Sequence, residues 1–177
     1  MIYIFFAPGF EEIEAIATLD ILRRSELDVQ SVGVGGKTVK GAHGISVICD
    51  VTDTEISLAD LEMIVLPGGM PGTLNLEKSP VVRTALEHAA EKDLWVAAIC
   101  AAPSILGHMG MLEHKRFTCF PGFEQEVENA HYTTERVVRD GKIITGKGPG
   151  CAIDFALEIV AALAGKDKAA LLGSSLQ

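Results

Sequence analysis

The sequence predicts an α/β fold, a three-layer sandwich of helices around a mostly parallel central sheet. Short apolar runs alternate with segments of helical periodicity along the whole chain, which is typical of repeated strand–helix–strand units. The apolar runs are continuous instead of alternating with polar residues, so the strands are expected to be buried on both faces. The length of 177 residues and the hydrophobic content of 48% suit one domain spanning residues 1–177.

The first half of the chain gives a strand–helix–strand opening, a small hairpin and two further buried strands. Glycines close the hairpin, and Pro80 is suited to a first helical turn. In chain order the predicted elements are a strand at Ile2–Ala7, a helix at Glu11–Arg24, a strand at Asp28–Val34, hairpin strands at Val39–Lys40 and Ile45–Cys49, a strand at Met63–Leu66, a helix at Pro80–Lys92 and a strand at Leu94–Ile99.

The second half is predicted to hold shorter strands and a long final helix. Asp140-Gly141 indicates a tight hairpin turn, and Gly165 indicates the end of the last helix. The predicted elements are a helix from Ala101 onward, a strand at Phe117–Cys119, a short helix at Phe123–Glu128, a hairpin at Arg136–Thr145 and a helix at Cys151–Ala164.

Composition excludes several classes of function. The net charge is −9 and no basic stripe is present, so we expect no nucleic-acid partner. The apolar start lacks the pattern of a signal peptide, and no run approaches the roughly 18 residues of a membrane span, so we expect a cytoplasmic protein without a membrane partner. The four cysteines lack disulfide or zinc spacing, so thiols and no metal are predicted; they are Cys49, Cys100, Cys119 and Cys151.

Three loops are predicted to meet at one edge of the sheet. The segments APGFEEIE, LPGGMPG and ICAAP each follow a predicted strand. Ligands of such sheets bind at the carboxyl ends of the strands. If the three strands are neighbours, Glu14, Gly68, Gly69 and Cys100 converge on one site.

Cys100 lies in the segment VAAICAAPSIL, where a buried strand turns into a helix of small residues. Such a nucleophile elbow holds its central side chain outward in strained backbone geometry above a helix N-terminus, where a thiol ionises more readily. Two plainer interpretations stay open. A free cysteine in an apolar strand is commonly a small buried hydrophobe. Glu12 and Glu14 can be first-turn acids that complement a helix dipole.

Four ordered motifs, GFEEIEAI, VLPGGMPG, AAICAAP and ITGKGPG, resemble the DJ-1 branch of the ThiJ/PfpI superfamily over essentially the whole chain. The resemblance implies a flavodoxin-like sandwich, a reactive nucleophile at Cys100 and a protonated acid at Glu14 beside it. It further implies that backbone N–H groups of the Gly68-Gly69 loop and of Ala101 face an oxyanion. It places at a dimer interface or pocket rim the residues Asp20, Arg24, Cys49, Gly148 and Pro149.

The chain departs from relatives at two positions. The protease-like branch has a histidine directly after the cysteine, where this chain has Ala101, so a cysteine-peptidase-like hydrolase is the least favoured activity. Some relatives have a histidine where this chain has Phe120, so base catalysis from that position is in doubt. The HPE pattern of amidotransferase relatives does not occur.

The resemblance implies a glyoxalase or deglycase that needs no cofactor and acts on methylglyoxal, glyoxal or early glycation adducts of amines and thiols. A redox-sensing stress protein or chaperone, switched by oxidation of Cys100, is the alternative. We also predict a homodimer through the first helix and the GKGPG turn. Asp20 and Arg24 lie one helical turn apart and can pair within a chain or across a symmetric contact.

Overall fold

The computed structural model describes residues 1–176, and a seven-stranded sheet lies at its centre. Within these residues the strands are β1 (Ile2–Phe6), β2 (Val29–Gly33), β3 (Thr38–Lys40), β4 (Ser46–Ile48), β5 (Val51–Thr52), β6 (Met63–Leu66), β7 (Trp95–Ile99), β8 (Arg116–Phe117), β9 (His131–Tyr132), β10 (Val137–Asp140) and β11 (Ile143–Gly146). The α-helices are α1 (Glu12–Arg24), α2 (Gly72–Lys78), α3 (Pro80–Glu91), α4 (Pro103–His108), α5 (Ala152–Ala164) and α6 (Lys166–Ser175).

The strand order in the central sheet is β10-β11-β7-β6-β1-β2-β5. All neighbouring strands are parallel except β10 and β11, which form the predicted antiparallel hairpin. The β3–β4 hairpin and the parallel pair β8–β9 form two separate small sheets. The mostly parallel sheet predicted from the sequence is therefore confirmed.

Helices cover both faces of the sheet, because its inner strands are apolar on both sides. All residues of β1 and β6 are buried. On one face α1 and α5 pack through side chains such as Leu22 and Phe155, and on the other α3 and α4 pack through side chains such as Leu86 and Leu106. Removing this apolar surface from water is the main stabilising contribution, and it accounts for the three layers.

Helix α1 carries complementary charge at both ends. Glu11 caps it by accepting a hydrogen bond from the Ile13 N–H at 3.4 Å. Acidic residues occupy its first turn and basic residues its last turn, an arrangement that stabilises the helix dipole. The sequence thus fixes the start of α1 directly after the loop that follows β1.

The sequence analysis missed two helices and placed two short elements wrongly. Helix α2 was missed because it begins at Gly72, directly after a proline-rich and glycine-rich loop. Helix α6 was missed because Gly165 ends α5 at φ +95° but the chain then resumes a helix. The predicted helix at 123–128 is a 3₁₀ turn at Phe123–Glu126, and the strand predicted at 117–119 lies at Arg116–Phe117 outside the main sheet. Within residues 1–176, no helix is both long and apolar enough to cross a bilayer.

Candidate active site

The three loops selected from the sequence lie side by side. Strands β7, β6 and β1 are consecutive in the sheet and parallel, so their carboxyl ends share one edge. The Glu11 N–H donates to the Gly68 carbonyl at 2.9 Å, which ties the loop after β1 to the loop after β6. The fold therefore brings Glu14, the glycine pair and Cys100 together, as expected.

Cys100 occupies the turn between β7 and α4 with φ +65°, a region that few residues other than glycine adopt. Two backbone hydrogen bonds hold it there: its N–H donates to the Gly146 carbonyl at 2.9 Å, and its carbonyl accepts from the Phe120 N–H at 2.8 Å. Strained backbone of this kind persists only where the surroundings impose it. Cys100 is also partly exposed, whereas Cys49, Cys119 and Cys151 are buried.

Glu14 projects from the first turn of α1 and is completely buried. Its Oε2 accepts a hydrogen bond from the Gly68 N–H at 2.8 Å, while Oε1 has no hydrogen-bond partner within residues 1–176. A Cβ at Gly68 would lie 2.6 Å from the Cys100 Cβ and 2.8 Å from Glu14 Oε2. Glycine is thus required sterically at the point where acid and thiol approach each other.

The acid and the thiol control each other's ionisation. Burial raises the pKa of Glu14 to about 7; the Gly68 N–H and the Cys100 thiol oppose the rise, and the charge of Glu11 adds to it. Burial raises the pKa of the Cys100 thiol too, and an ionised Glu14 raises it further. The pair therefore resists carrying two negative charges at once.

The pKa of Cys100 corrects one expectation. The turn above a helix predicted a thiol that ionises readily, but α4 is short and its effect is outweighed by burial and by the Glu14 charge. Backbone N–H groups of Gly69 and Ala101 do lower the thiol pKa, in the direction expected for donors that face a developing anion. A readily ionised thiol therefore requires a protonated Glu14.

The sequence did not indicate the polar contacts of Glu12, the other buried acid in the first turn of α1. The β3–β4 hairpin covers Glu12, whose Oε1 accepts from the His43 N–H at 2.7 Å and whose Oε2 lies 2.8 Å from His43 Nδ1. Burial disfavours ionisation of Glu12, but these hydrogen bonds outweigh it and lower its pKa. Ligand atoms of Glu11, Glu12 and His43 lie within 4.8 Å of one another, close enough for a cation, although both Glu12 oxygens already accept hydrogen bonds. The glycines at 41 and 44 had indicated this hairpin, but not its contact with Glu12.

Residues predicted at a pocket rim or interface fall in three places. Asp20 and Arg24 form an exposed ion pair within α1, at 2.8 Å. Cys49 is 1% exposed, so its thiol does not reach the surface of the single chain. Gly148 and Pro149 line a cavity of about 360 Å³ beside Phe120, whose ring lies 3.2 Å from a Cβ built on Gly148.

The sequence is similar to the sequences of known proteins. Residues 1–162 match the DJ-1/PfpI family. The chain is 37% identical to protein dj-1beta of Drosophila melanogaster, over 93% of this chain and 90% of that protein. It is 35% identical to the glutathione-independent glyoxalase DJR-1.2 of Caenorhabditis elegans, over 89% of this chain and 85% of that protein.

A solved structure of a related protein has the same fold. The crystal structure of a cysteine-to-alanine mutant of a DJ-1 superfamily protein from Salmonella typhimurium superimposes with a TM-score of 0.94 at 34% identity, covering 99% of this chain and 96% of that one. Both chains therefore share the flavodoxin-like sandwich over nearly their full length. The protein belongs to the DJ-1/PfpI family.

Proposed function

We propose that this protein is a cofactor-independent glyoxalase that converts methylglyoxal or glyoxal to the 2-hydroxy acid through a hemithioacetal on Cys100. One observation carries the proposal: a strained, partly exposed cysteine lies beside a buried acid whose pKa is raised to about 7. An acid with that pKa can both donate and accept a proton near neutral pH. Membership of a family that includes a named glyoxalase supports the same reaction class.

The reaction starts with attack of the Cys100 sulfur on the aldehyde carbon. A C–S bond forms, and the carbonyl oxygen takes up the negative charge where the Gly69 and Ala101 N–H groups can stabilise it. Glu14 donates its proton to that oxygen, which gives the hemithioacetal and leaves Glu14 as a carboxylate. Glu14 then removes the proton from the former aldehyde carbon and returns a proton to the neighbouring carbon, which gives a 2-hydroxyacyl thioester.

Hydrolysis completes the cycle without an oxidant or a reductant. Water attacks the thioester, the C–S bond breaks, and the 2-hydroxy acid leaves with the thiol regenerated. Methylglyoxal plus water equals lactic acid, so the oxidation of one carbon balances the reduction of its neighbour. An early glycation adduct is a hemiaminal or hemithioacetal of the same aldehyde. When its C–N or C–S bond breaks, the free amine or thiol leaves and the aldehyde enters the same cycle, which is the deglycase form of the proposal.

Oxidation sensing is a second candidate, and the exposure of the cysteines favours it. Cys100 is the partly exposed thiol of the four, and a protonated Glu14 can donate a hydrogen bond to a sulfinate at that position. Gain of a new activity only after mild peroxide treatment would favour the sensor. Turnover by the fully reduced protein would favour the enzyme.

We further propose a homodimer built on α1 and the Gly148-Pro149 turn. Ile13 and Ile16 on α1 are 58% and 38% exposed, and the Asp20–Arg24 pair continues the same helix surface. Large apolar side chains grouped on one surface favour burial against a partner. A two-fold contact would set the same patch on both copies against itself.

The test of the enzyme is formation of lactate or glycolate, not loss of aldehyde, because lysines and arginines trap dicarbonyls without turnover. We expect catalytic lactate formation from methylglyoxal by the wild type and none by Cys100→Ser, which keeps every lysine and arginine. Cys119→Ala removes a buried cysteine elsewhere and should keep the activity. Equal lactate formation by wild type and Cys100→Ser would refute the proposed mechanism.

A further inference from the structure

Cys100 is held by a closed ring of three hydrogen bonds, and one of these bonds comes from a side chain. The Cys100 N–H donates to the Gly146 carbonyl at 2.9 Å, and the Cys100 carbonyl accepts from the Phe120 N–H at 2.8 Å. The third bond joins the chain neighbours of these two partners, since the Thr118 N–H donates to Thr145 Oγ1 at 2.9 Å. The ring therefore links the end of β7, the end of β11 and the segment that follows β8.

The Thr145 hydroxyl takes the place of a strand neighbour for this segment. Strand β8 ends at Phe117, outside the main sheet, and the N–H of the next residue, Thr118, donates to the hydroxyl instead. Both threonines are completely buried, so bulk water does not reach this bond. The Thr118 hydroxyl donates in turn to the Glu135 carbonyl at 2.8 Å, which anchors the segment on its other side. Because a buried N–H without an acceptor is costly, the Thr145 hydroxyl fixes the segment against β11.

The ring acts on both backbone polar groups of Cys100. A φ of +65° costs free energy in a residue with a side chain, and it persists only where the surroundings impose it. Gly146 and Phe120 impose it through their two hydrogen bonds. The bond between Thr145 and Thr118 fixes these two partners relative to each other. Without it the partners would move independently, and the Cys100 backbone would relax to an ordinary angle.

We propose that Thr145 is a positioning residue of the Cys100 site and holds the sulfur against Glu14 through the segment that follows β8. The inference rests on the proposed function only in taking Cys100 as the nucleophile. The thiol contacts the Glu14 carboxyl and the N–H groups of Gly69 and Ala101, and a relaxed backbone would turn it away from all three. The plainer interpretation is that Thr145 only satisfies a buried N–H, in which case its loss would lower stability and leave the thiol unchanged.

The test measures how strongly Glu14 acts on the sulfur. The readout is the rate of Cys100 alkylation by iodoacetamide at pH 8.5 in Glu14→Gln, divided by the rate in the parent that keeps Glu14. In the wild-type background this ratio should exceed 1, because the substitution removes the carboxylate beside the thiol. Thr145→Val keeps the shape of the side chain and removes the acceptor. In that background we expect the ratio to fall about fivefold, or to 1 if the wild-type ratio is lower than that; fivefold corresponds to about 1 kcal/mol, the net contribution of one hydrogen bond.

Two control variants separate positioning from stability. Thr145→Ser keeps the hydroxyl and should restore the wild-type ratio. Tyr3→Phe is the matched control, because the Tyr3 hydroxyl also accepts a backbone N–H, that of Ser57 at 3.2 Å, but lies near the amino end of β1. Tyr3→Phe should lower the stability towards urea and leave the ratio unchanged.

Thr118→Val replaces Thr145→Val if the latter does not fold. It removes the anchor to Glu135 on the other side of the same segment, and the ratio should again fall. A wild-type ratio of 1, or an unchanged ratio in the folded variant, would overturn the inference. No aldehyde enters this assay, so its outcome is independent of lactate formation.

Discussion

Replacing Glu14 with glutamine should make the protein more stable at neutral and alkaline pH. The carboxyl is completely buried, and burial raises its pKa from 4.5 to about 7 in the folded chain. A raised carboxyl pKa means that the folded state holds the proton more tightly than the unfolded state. Folding is therefore most favourable with Glu14 protonated, at low pH, and stability is lost as the pH rises through 4.5 to about 7.

The change in the free energy of unfolding follows from the raised pKa of Glu14. Each pKa unit corresponds to 1.36 kcal/mol, so an ionised Glu14 costs the folded state about 3 kcal/mol above pH 8. Glutamine keeps the shape of the side chain and carries no charge. We therefore expect the advantage of Glu14→Gln over wild type to grow through this pH range to about 3 kcal/mol, relative to their difference at pH 4.

The assay is urea denaturation followed by fluorescence of the single tryptophan, Trp95, at pH 4, 6 and 8.5. Glu91→Gln at the exposed end of α3 is the control, and its difference from wild type should stay flat across the same range. A Glu14→Gln difference that is equally flat would show that Glu14 ionises freely in the folded state. The protonated acid on which the mechanism depends would then be lost.

The same variant separates the two chemical roles of Glu14. Without the nearby carboxylate the thiol pKa should fall below that of the wild type, so alkylation of Cys100 by iodoacetamide above pH 7 should be faster. Methylglyoxal turnover should be lost, because an amide cannot carry the proton between carbons. Retained turnover in Glu14→Gln would remove Glu14 from the acid–base role and leave it as a group that only orients the sulfur.

Three further predictions concern the surroundings of this pair. Gly68→Ala should abolish turnover and destabilise the protein by about 1–3 kcal/mol, since its Cβ would lie 2.6 Å from that of Cys100 and 2.8 Å from Glu14 Oε2; denaturation and lactate assays measure both effects. Under mild peroxide Cys100 should oxidise to sulfinate before Cys119, and equal oxidation in peptide mass spectra would contradict this. Light scattering at micromolar concentration should give a dimer that Ile13→Arg converts to a monomer, whereas a monomeric wild type would refute the proposed interface.

The sequence predicted the parts of the fold that local patterns determine. Continuous apolar runs indicated the strands of a sheet buried on both faces, and the Asp140-Gly141 dipeptide indicated a hairpin. It missed α2 and α6, whose first residues follow signals that normally end helices. Tertiary packing decided both cases, since α6 lies against α5 and α2 against α3.

The candidate site was predicted only as far as its residues follow the strand ends. Glu14, Gly68 and Cys100 could be placed together on the condition that their strands are neighbours, because parallel strands share an edge. The pKa values of Glu14 and Cys100 could not be predicted from the sequence, because they depend on burial and on the distances between side chains from different loops. The hairpin contact between His43 and Glu12 depends on chain positions 31 residues apart, and no local pattern reports such a contact.

Burial of Glu14 lowers the stability of the folded chain when the carboxyl ionises, and the same burial keeps a proton beside Cys100. An exposed glutamate at the same helix position would complement the α1 dipole as a carboxylate and would be ionised at neutral pH. Burial against the Gly68 loop removes that option and moves the pKa to about 7, where the carboxyl can both donate and accept a proton near neutral pH, as the proposed mechanism requires. The free energy that the folded chain loses on ionising Glu14 is thus the same free energy that keeps a proton beside Cys100. A variant that restores this stability by removing the acid must lose the proton transfer with it.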